Sequence, residues 1–456
     1  MFGLLGITLK IKMKLGIITP IGPGHVESYQ KCLESINFAW DKSKGNFSSL
    51  EIIMQPDLEG HYGRSNRRNC GIEEAIQKKC DWLFFLDADD LMSPDAFEKA
   101  APFLDDYDAI FGAICEMPFG QPNQLRLRNP QLEETTNYLD LLLYDPFLTL
   151  QMGHFVRSDI ANRIKFDEQL DVGEDFKYYL TLCEDNRFIK IKDILFINQR
   201  GNNSVGPRSG NGAQWREAVQ SLIIQKIQEK HIVATINLNN IEASFVIKNP
   251  FDIIQATMLY NQFFEQNELL ELIPHIGLGK KIVEIGANIG NHTVFYGKHL
   301  NPSKIFPFEP NIDSIDMLME NISLNKLEKL IDSRGIGIGL GRVRGKFETR
   351  VNDKNNLGAA CLIEGGDIDV FPLDEVIGDE AVDFIKIDVE GMEMLVLEGA
   401  KNTINKNRPK IYIEIFNHHI EDFIQWVEIN QYQFVLTHRL INAVNFLVEP
   451  MPLTET

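Results

Sequence analysis

Short, almost continuous apolar runs recur along both halves of the chain, and each is followed at once by glycine, proline or acidic residues. Examples are KLGIITPIGP and DWLFFLDADD in the first half, and KKIVEIGANIGN and VDFIKIDVEG in the second. Runs this short and this apolar are typical of strands buried on both faces, as in parallel sheets. Helix-like segments separate them. The pattern therefore predicts an α/β fold with a parallel sheet in each half.

The 456 residues are more than one hydrophobic core usually supports. The strand–helix pattern starts again after a stretch rich in Gly, Asn and Ser at residues 200–216. We therefore expect two domains, residues 1–230 and 231–456. The sequence also predicts one helix near residues 72–79, preceded by a polar loop, and another at about residues 250–273.

Charge and cysteine content exclude several classes of protein. Lys and Arg number 45 against 65 Asp and Glu, which gives a net charge of −20. This balance argues against a protein that binds nucleic acid or anionic lipid by bulk electrostatics. The six cysteines include no C-x-x-C pair, so free thiols are expected rather than a zinc site or a disulfide framework. No apolar run has the length of a transmembrane helix, and we expect a cytoplasmic protein.

Three carboxylates follow the most apolar strand of the first half, in the segment FFLDADDLMSP. Asp87, Asp89 and Asp90 stand where that strand ends. In open α/β sheets the ligand crevice lies outside the carboxyl ends of the strands. A hard cation such as Mg²⁺ or Mn²⁺ would offset the repulsion between the acids and can bridge a diphosphate. The alternative is an acidic turn that caps the next helix.

Other polar residues in the first half extend this pattern. Asp57 follows the second predicted strand, RRNCGI contains Arg68, and DVGEDF places Glu174 and Asp175 at a helix start. With the strand that ends at Pro20 and the DADD motif, these pieces resemble the family 2 glycosyltransferases of the GT-A fold. The resemblance covers residues from about 14 to 220.

The resemblance implies inverting transfer of a sugar from a nucleotide-diphosphate sugar, with the diphosphate held by Mn²⁺ or Mg²⁺. Pro20, Asp57, Arg68 and Asp87 would then belong to the donor site, and Asp89 would bind the metal. Glu174 or Asp175 would be the general base that takes the proton of the acceptor hydroxyl.

Two features of the first half depart from this family or leave a role open. Many relatives carry a metal-binding histidine before a serine in the last loop, but QRGNNSVG has none. Arg200 or Arg208 is an alternative partner for the phosphates. His154 is either part of an acceptor pocket or a structural residue.

A nucleotidyltransferase is disfavoured because TPIGPGHVES, after the first strand, lacks Arg and Lys.

The second half contains a strand–turn–helix segment around Gly286-Ala287-Asn288-Ile289-Gly290. Small residues here allow close approach of a ligand, but Asn288 occupies the second glycine position of G-x-G-x-x-G, which disfavours NAD. Glu284 precedes the turn. Glu309, in FPFEPN, ends the next strand, where an acid can accept both ribose hydroxyls.

These segments, with IDVEGMEMLVLEGA and PKIYIEIF, resemble the FkbM family of S-adenosylmethionine-dependent methyltransferases. The resemblance spans about residues 245–448 and implies a Rossmann-like class I methyltransferase fold and methylation of oxygen. On this reading Glu284, Gly286, Asn288 and Gly290 line the methionine part of the cofactor, and Glu309 and Asn311 hold the ribose.

A base is needed if the methyl acceptor is a sugar hydroxyl. Asp388, Glu390 and Glu414, at or near strand ends, are the candidates for this role. The same three acids are alternatively a cation site. His292, His418 and His419 are weaker candidates, since a histidine near a strand end is more often structural.

The two resemblances together predict a bifunctional enzyme of polysaccharide or glycoconjugate biosynthesis. Its partners would be a nucleotide sugar, a glycan acceptor and S-adenosylmethionine, with no nucleic acid and with a position peripheral to a membrane-bound glycan assembly. The competing class is a non-catalytic or singly active scaffold, in which one or both nucleotide domains only bind a ligand or partner. The sequence does not predict the oligomeric state.

Overall fold

The computed structural model describes residues 12–118, 124–199, 212–351 and 355–452. The chain folds into two compact units, Met1–Lys226 and Ile227–Thr456. The division falls inside the helix Gly212–Lys230. None of the helices in the described ranges is both long and apolar enough to span a membrane.

The first unit alternates strands and helices over most of its length. Its strands are β1 Met13–Ile21, β2 Phe47–Pro56, β3 Trp82–Phe85, β4 Leu91–Met92, β5 Ala109–Phe111, β6 Cys115–Met117, β7 Arg126–Leu127, β8 His154–Arg157, β9 Phe188–Lys190 and β10 Phe196–Gln199. Its helices are α1 Val26–Lys42, α2 Gly63–Gln77, α3 Ala96–Ala100, α4 Tyr138–Leu143, α5 Ser158–Ile164, α6 Glu174–Asp185 and α7 Gly212–Lys230.

The main sheet of this unit has six strands in the order β2-β1-β3-β8-β5-β9. β1 lies between β2 and β3 and is parallel to both, whereas β8 is antiparallel to β3. The carboxyl ends of β1, β2 and β3 therefore meet at one edge of the sheet. A smaller sheet, β4-β10-β6-β7, lies beyond the acidic segment.

Helix α2 differs from the prediction, because it begins at Gly63 and not near residue 72. The predicted polar loop is helical and buries Ser65, Arg68 and Asn69 together with the apolar Ile72 and Ala75. Because part of the buried face of α2 is polar, the spacing of its apolar residues does not show the helical repeat. Gly71 lets this helix approach β1 closely, since a Cβ there would lie 2.4 Å from Cγ2 of Ile18.

The second unit opens with a hairpin and continues with a larger sheet. Its strands are β11 Val233–Leu238, β12 Ile241–Val246, β13 Lys281–Ile285, β14 Lys304–Phe308, β15 Gly339–Leu340, β16 Gly345–Arg350, β17 Cys361–Glu364, β18 Ile368–Phe371, β19 Phe384–Ile387, β20 Lys410–Phe416, β21 Tyr432–Arg439 and β22 Ala443–Pro450. Its helices are α8 Ile253–Leu259, α9 Gln266–Ile276, α10 Asn291–His299, α11 Ile312–Leu324, α12 Leu373–Ile377, α13 Glu393–Gly399, α14 Lys401–Asn407 and α15 Ile420–Ile429.

The strand order of the larger sheet is β14-β13-β19-β20-β22-β21. The first four strands are parallel, and β22 inserts antiparallel between β20 and β21. After β13 the chain forms β14 on one side of that strand, and it later returns to form β19 on the other side. Such a reversal opens a crevice at the carboxyl ends of β13 and β19.

The helix predicted at residues 250–273 is wrong in detail, because the chain forms two shorter helices there. Asp252 caps α8 by accepting the N–H groups of Ile254 and Gln255, and α9 begins only at Gln266. Glu265, between them, has φ +59°, a conformation that costs a non-glycine residue free energy. The break places the Glu265 side chain beside the second crevice.

The hairpin β11–β12 is fastened to the rest of its unit by two asparagines of α11 and the residue after it. Asn321 accepts the N–H of Val246 at 2.8 Å and donates to the carbonyl of Ile289, also at 2.8 Å. Asn325 accepts the N–H of Ser244 and donates to its carbonyl. Asn321 thus joins the hairpin to the turn that precedes α10.

Candidate functional sites

The first crevice gathers three of the residues expected to hold a nucleotide. Pro20 is buried near the end of β1, Asp57 follows β2, and Asp87 follows β3. They come from three neighbouring parallel strands, so the topology brings them to one edge as the sequence pattern predicted.

Asp57 holds the start of helix α2. Its carboxylate accepts three backbone N–H groups, from His61 at 2.8 Å, Tyr62 at 3.0 Å and Gly63 at 2.9 Å. Burial acts to raise the pKa of Asp57, but these three donors hold it below its ordinary value. A carboxylate has about four acceptor positions, so one remains for a hydroxyl or a base.

Arg68 lies behind the acids and has no exposed surface. Its Nη2 donates to Oδ1 of Asp87 at 2.6 Å, and its Nη1 lies 3.7 Å from Oε1 of Glu174. The guanidinium also lies over the ring of Phe166, 5.2 Å from the centroid. The structure therefore places Arg68 as a link between two crevice acids rather than as a surface for the donor.

Glu174 and Asp175, the two candidates for the base, occupy the first turn of α6 and differ in their surroundings. Glu174 lies 3.3 Å from Nη2 of Arg64 in addition to its contact with Arg68. Asp175 accepts the N–H of Phe176 at 2.9 Å and lies 3.4 Å from Nε1 of Trp215, on α7. Two guanidinium groups therefore lie against Glu174, whereas Asp175 contacts a backbone N–H and an indole nitrogen.

The remaining two acids of the DADD motif point in different directions. Asp90 is 3% exposed and accepts hydrogen bonds from Asn198 and the N–H of Gln199. Burial, with the charges of Asp89 and Asp87, raises the pKa of Asp90 well above its ordinary value. Asp89 keeps 33% of its side chain exposed, which suits the residue predicted to bind the metal.

The carboxylates of the first crevice fit a divalent ion that takes most of its ligands from the diphosphate and from water. Among the described residues, no group of three or more His, Cys, Asp or Glu side chains is arranged to hold a metal ion. Magnesium-like ions in phosphate sites, however, commonly use one or two protein carboxylates and take their other ligands from phosphate and water. Asp89 meets that requirement. Arg200 and Arg208, the alternative phosphate partners, lie outside the described residues.

His154 is a core residue of β8. Its ring is fully buried and stacks on Phe111 with centroids 4.6 Å apart, and burial lowers the pKa of His154 to about 3. A neutral imidazole packed among aromatic rings matches the structural alternative rather than the acceptor pocket.

The second crevice is built around the glycine turn after β13. Gly286 has φ +81°, and a Cβ there would lie 1.8 Å from the carbonyl oxygen of Asp388. Gly290 has φ +87° and would place a Cβ 2.7 Å from Cδ1 of Leu318. The two glycines let β13, β19 and α11 come together at the position where the cofactor is predicted to bind.

Glu309 and Asn311 occupy the end of β14 and the start of α11. Glu309 accepts the N–H of Asn288 at 2.7 Å and that of Asn311 at 2.8 Å, one on each carboxylate oxygen. One acceptor position per oxygen is left, which fits a pair of ribose hydroxyls. Asn311 instead caps α11 by accepting the N–H of Asp313, and its amide contacts Ser314.

Glu284 is fully buried below the turn. Thr293 donates to its Oε2 at 2.6 Å, and its Oε1 has no hydrogen-bond partner among the described residues. Burial raises the pKa of Glu284 despite the nearby Lys386 and His292. Because Glu284 has no exposed surface, its side chain does not line the predicted methionine site directly.

Two of the three candidate base residues of the second unit, Asp388 and Glu414, lie together. A small cavity is lined by Glu265, Lys386, Ile387, Asp388, Tyr412, Glu414 and Asn445. Lys386, almost fully buried, donates to Asp388 Oδ2 and to the carbonyl of Gly286, both at 3.0 Å. Burial and the charge of Asp388 raise the pKa of Glu414 to about 9. At neutral pH Glu414 is therefore protonated and shares its proton with the Asp388 carboxylate.

Glu390, the third acid, lies next to this pair. It has φ +52°, and burial with the charges of Asp388 and Glu393 raises its pKa to about 7. A carboxylate with that pKa is matched to proton abstraction near neutral pH. Glu265 and Lys386 were missed by the sequence interpretation. The signal for Lys386 was present, since a lysine inside the apolar run FIKI must be buried.

The pKa of Glu309 gives a testable pH dependence for cofactor binding. Burial raises it from 4.5 to about 7, although two backbone N–H donors oppose the shift. Because the ribose hydroxyls need the ionised form, we expect the affinity for S-adenosylhomocysteine to fall about tenfold from pH 8 to pH 6. Calorimetry at both pH values measures this.

Glu309→Gln serves as the control, because it should bind weakly with little change over this pH range. A wild-type affinity that does not change with pH would contradict the assignment. The effect on stability has the opposite sign. The unfolded chain releases this proton more readily, so the Glu309 contribution to stability falls as the pH rises from 4.5 to about 7.

Comparison with known families identifies the family that each half of the chain matches. Residues 57–162 match the family described as Glycosyl transferase family 2, and residues 284–440 match the family described as Methyltransferase FkbM domain. The chain contains one domain of each family. The predicted resemblances and the predicted α/β fold, GT-A-like followed by methyltransferase-like, are confirmed.

Individual relatives of the two domains are distant. The minor teichoic acid biosynthesis protein GgaB of Bacillus subtilis (strain 168) is 26% identical over 158 residues, which are 33% of this chain and 17% of GgaB. The structure of S. aureus TarS 1–349 in complex with UDP-GlcNAc is 16% identical, covers 47% of this chain and 66% of that one, and has a TM-score of 0.37. The FkbM methyltransferase of Methylobacillus flagellatus KT is 25% identical, covers 37% of this chain and 43% of that one, and has a TM-score of 0.28.

Proposed function

We propose that the chain is a bifunctional enzyme that transfers a sugar from a nucleotide-diphosphate sugar to a glycan and methylates a sugar hydroxyl with S-adenosylmethionine. The observation that carries the proposal is that each family match lies over a crevice with carboxylates at the carboxyl ends of its strands. We retain residues 1–230 and 231–456 as the extents of the two domains.

The glycosyltransferase domain would hold the nucleoside through Asp57 and Asp87 at the ends of β2 and β3. Asp89 would hold a divalent ion, which when bound neutralises charge on the diphosphate leaving group. Asp175 is the better candidate for the base, since the guanidinium groups of Arg64 and Arg68 lie against Glu174. A single base opposite the leaving group corresponds to an inverting reaction.

The methyltransferase domain would place the cofactor over the turn Gly286–Gly290, with its ribose on Glu309. The reaction is a displacement at an activated methyl group, so most of the catalysis lies in holding the acceptor oxygen in line. The proton of the acceptor hydroxyl would pass to Glu390 or to the Asp388–Glu414 pair. In that pair only Asp388 is ionised at neutral pH. It is a poorer acceptor than Glu390, because, against the effect of burial, Lys386 and the proton of Glu414 hold the pKa of Asp388 below its ordinary value.

The acceptor that we propose is a cell-surface glycopolymer. The partial similarity to a teichoic acid biosynthesis protein supports this class, and fusion of the two domains suits consecutive steps on one chain, because the product of one site is concentrated near the other. The protein would act in the cytoplasm, beside membrane-bound assembly of the polymer.

A panel of nucleotide sugars, UDP-GlcNAc among them, assayed for metal-dependent donor hydrolysis tests the proposal. We expect Asp89→Ala to lower the rate at least about 100-fold, because a metal-held diphosphate accounts for several kcal/mol of stabilisation. Calorimetry with S-adenosylhomocysteine should show unchanged binding. Asp106→Ala, which removes an exposed acid of the same unit, is the matched control.

The scaffold alternative predicts a different pattern. No donor would be hydrolysed by the wild type, and one or both ligands would fail to bind. Loss of S-adenosylhomocysteine binding in Asp89→Ala would show instead that the two sites are not independent.

A further inference from the structure

A histidine in the turn after β1 faces the acid that is expected to bind the metal. His25 lies in the turn between β1 and α1, directly before the helix, and its Nε2 is 3.8 Å from Oδ2 of Asp89. The His25 and Asp89 side chains are 18% and 33% exposed, so both border the crevice and not the core. The sequence interpretation did not single out His25.

The backbone fixes the direction of this ring. The N–H of His25 donates to the carbonyl of Gly22 at 3.2 Å, and Gly24 has φ +78°, which turns the chain back toward the sheet. Nδ1 lies against Gly22, 3.5 Å from the position that a Cβ would occupy there. Nε2 is therefore the nitrogen that faces Asp89.

The separation of the two atoms is within about 1 Å of that between two adjacent ligands of one octahedral ion. With ligand distances of about 2.1 Å, adjacent ligand atoms lie about 3 Å apart and opposite ones about 4.2 Å. An octahedral ion has no separation between these two, so the observed 3.8 Å must shorten by about 0.8 Å for His25 and Asp89 to bind as adjacent ligands. Rotation of either side chain can supply that change, because both are partly exposed. A direct hydrogen bond between the same atoms is excluded at that distance.

His25 is distinct in this respect among the histidines of its unit. His154 is buried and stacked on Phe111, and the ion-pair partner of His61 is Glu59, outside the DADD motif. Residues 14–220, over which the glycosyltransferase resemblance extends, contain no other histidine. The nitrogen ligand that relatives supply from the last loop would here come from the first.

We propose that His25 Nε2 and Asp89 Oδ2 are the two protein ligands of the divalent ion that holds the donor diphosphate, and that the nitrogen ligand makes the site prefer Mn²⁺ to Mg²⁺. The inference rests on the metal-dependent transfer proposed above. The diphosphate would lie at the N-terminus of α1, a helix of 17 residues, where the helix dipole favours an anion. Imidazole nitrogen is a poorer ligand for Mg²⁺ than oxygen, which gives the preference.

Electron spin echo spectroscopy of Mn²⁺ bound to the full chain with UDP as the probe tests the ligand directly. Histidine labelled with ¹⁵N should add a ¹⁵N coupling in the wild type. The coupling should vanish in His25→Ala and persist in His231→Ala, which alters an exposed histidine of the other unit. In His25→Ala we also expect Mn²⁺ affinity in the presence of UDP to fall about tenfold or more, and Mg²⁺ affinity to change less.

The outcomes separate the two proposals. Mn²⁺ bound with UDP but without histidine coupling, or coupling that survives in His25→Ala, would overturn the role of His25 and leave the metal-dependent transfer standing. A wild-type protein whose affinity for UDP is the same with and without Mn²⁺ would overturn both. Binding of S-adenosylhomocysteine, measured in the same samples, shows that each variant is folded in its second unit.

Discussion

Arg68→Met should lower the stability of the first unit by about 3–5 kcal/mol, because it leaves two buried or half-buried carboxylates without the cation between them. Arg68 has no exposed surface and contacts both Asp87 and Glu174. A loss of that size in a unit of this length corresponds to a fall of roughly 10 °C in its unfolding temperature. Differential scanning calorimetry of the full chain, with the transition of each unit followed separately, measures it.

Arg67→Met is the matched control on the same helix. Arg67 is half-buried, donates to Asn66 and lies over the ring of Tyr62, 4.4 Å from its centroid. Such a contact contributes about 1 kcal/mol or less. Equal destabilisation by the two substitutions would contradict the linking role of Arg68. If Arg68→Met remains folded at low temperature, donor hydrolysis should still fall, since Asp87 and Glu174 lose their common anchor.

Gly286→Ala should abolish measurable binding of S-adenosylhomocysteine and destabilise the second unit by about 3 kcal/mol or more. Two effects add at this position. A residue with a Cβ is strained at φ +81°, and the Cβ would lie 1.8 Å from the carbonyl oxygen of Asp388, so that β13 and β19 must separate. Calorimetry with the ligand and thermal unfolding of the unit give the two readouts.

Gly279→Ala isolates the conformational part of this effect. Gly279 has φ +71°, in the same backbone region, but a Cβ there meets no atom within 4 Å. We expect it to cost about 1–2 kcal/mol and to leave ligand affinity unchanged. An affinity of Gly286→Ala within threefold of the wild type would show that the turn does not hold the cofactor.

The crevices could be predicted from the sequence because each depends on a local pattern. An apolar run followed by an acid or a glycine fixes both the strand and the position of its carboxyl end. Asp57, Asp87, Gly286 and Glu309 were found in this way, and the topology brings them to the expected edges. The general α/β organisation follows from the same pattern.

The remaining parts depend on contacts between distant segments. His25 and Asp89 are 64 residues apart, and neither stands in a motif that names the other. Helix α2 was predicted too short because Arg68 and Asn69 bury polar side chains on carboxylates of other segments, which a hydrophobic period cannot reveal. The distinction between Glu174 and Asp175, adjacent in sequence, likewise appears only when Arg64, Arg68 and Trp215 are placed around them.

The hairpin β11–β12 has a practical consequence for making the methyltransferase as a separate fragment. The family match begins at residue 284, well after the hairpin. A fragment that begins at that position would lack Val246, whose N–H donates to the buried Asn321. The Asn321 side chain would keep its hydrogen bond to the carbonyl of Ile289, in the turn before α10. The loss of such a hydrogen bond costs about 0.5–1.5 kcal/mol. A usable fragment should therefore begin before Val233, and its start is better chosen from the hairpin than from the limits of the family match.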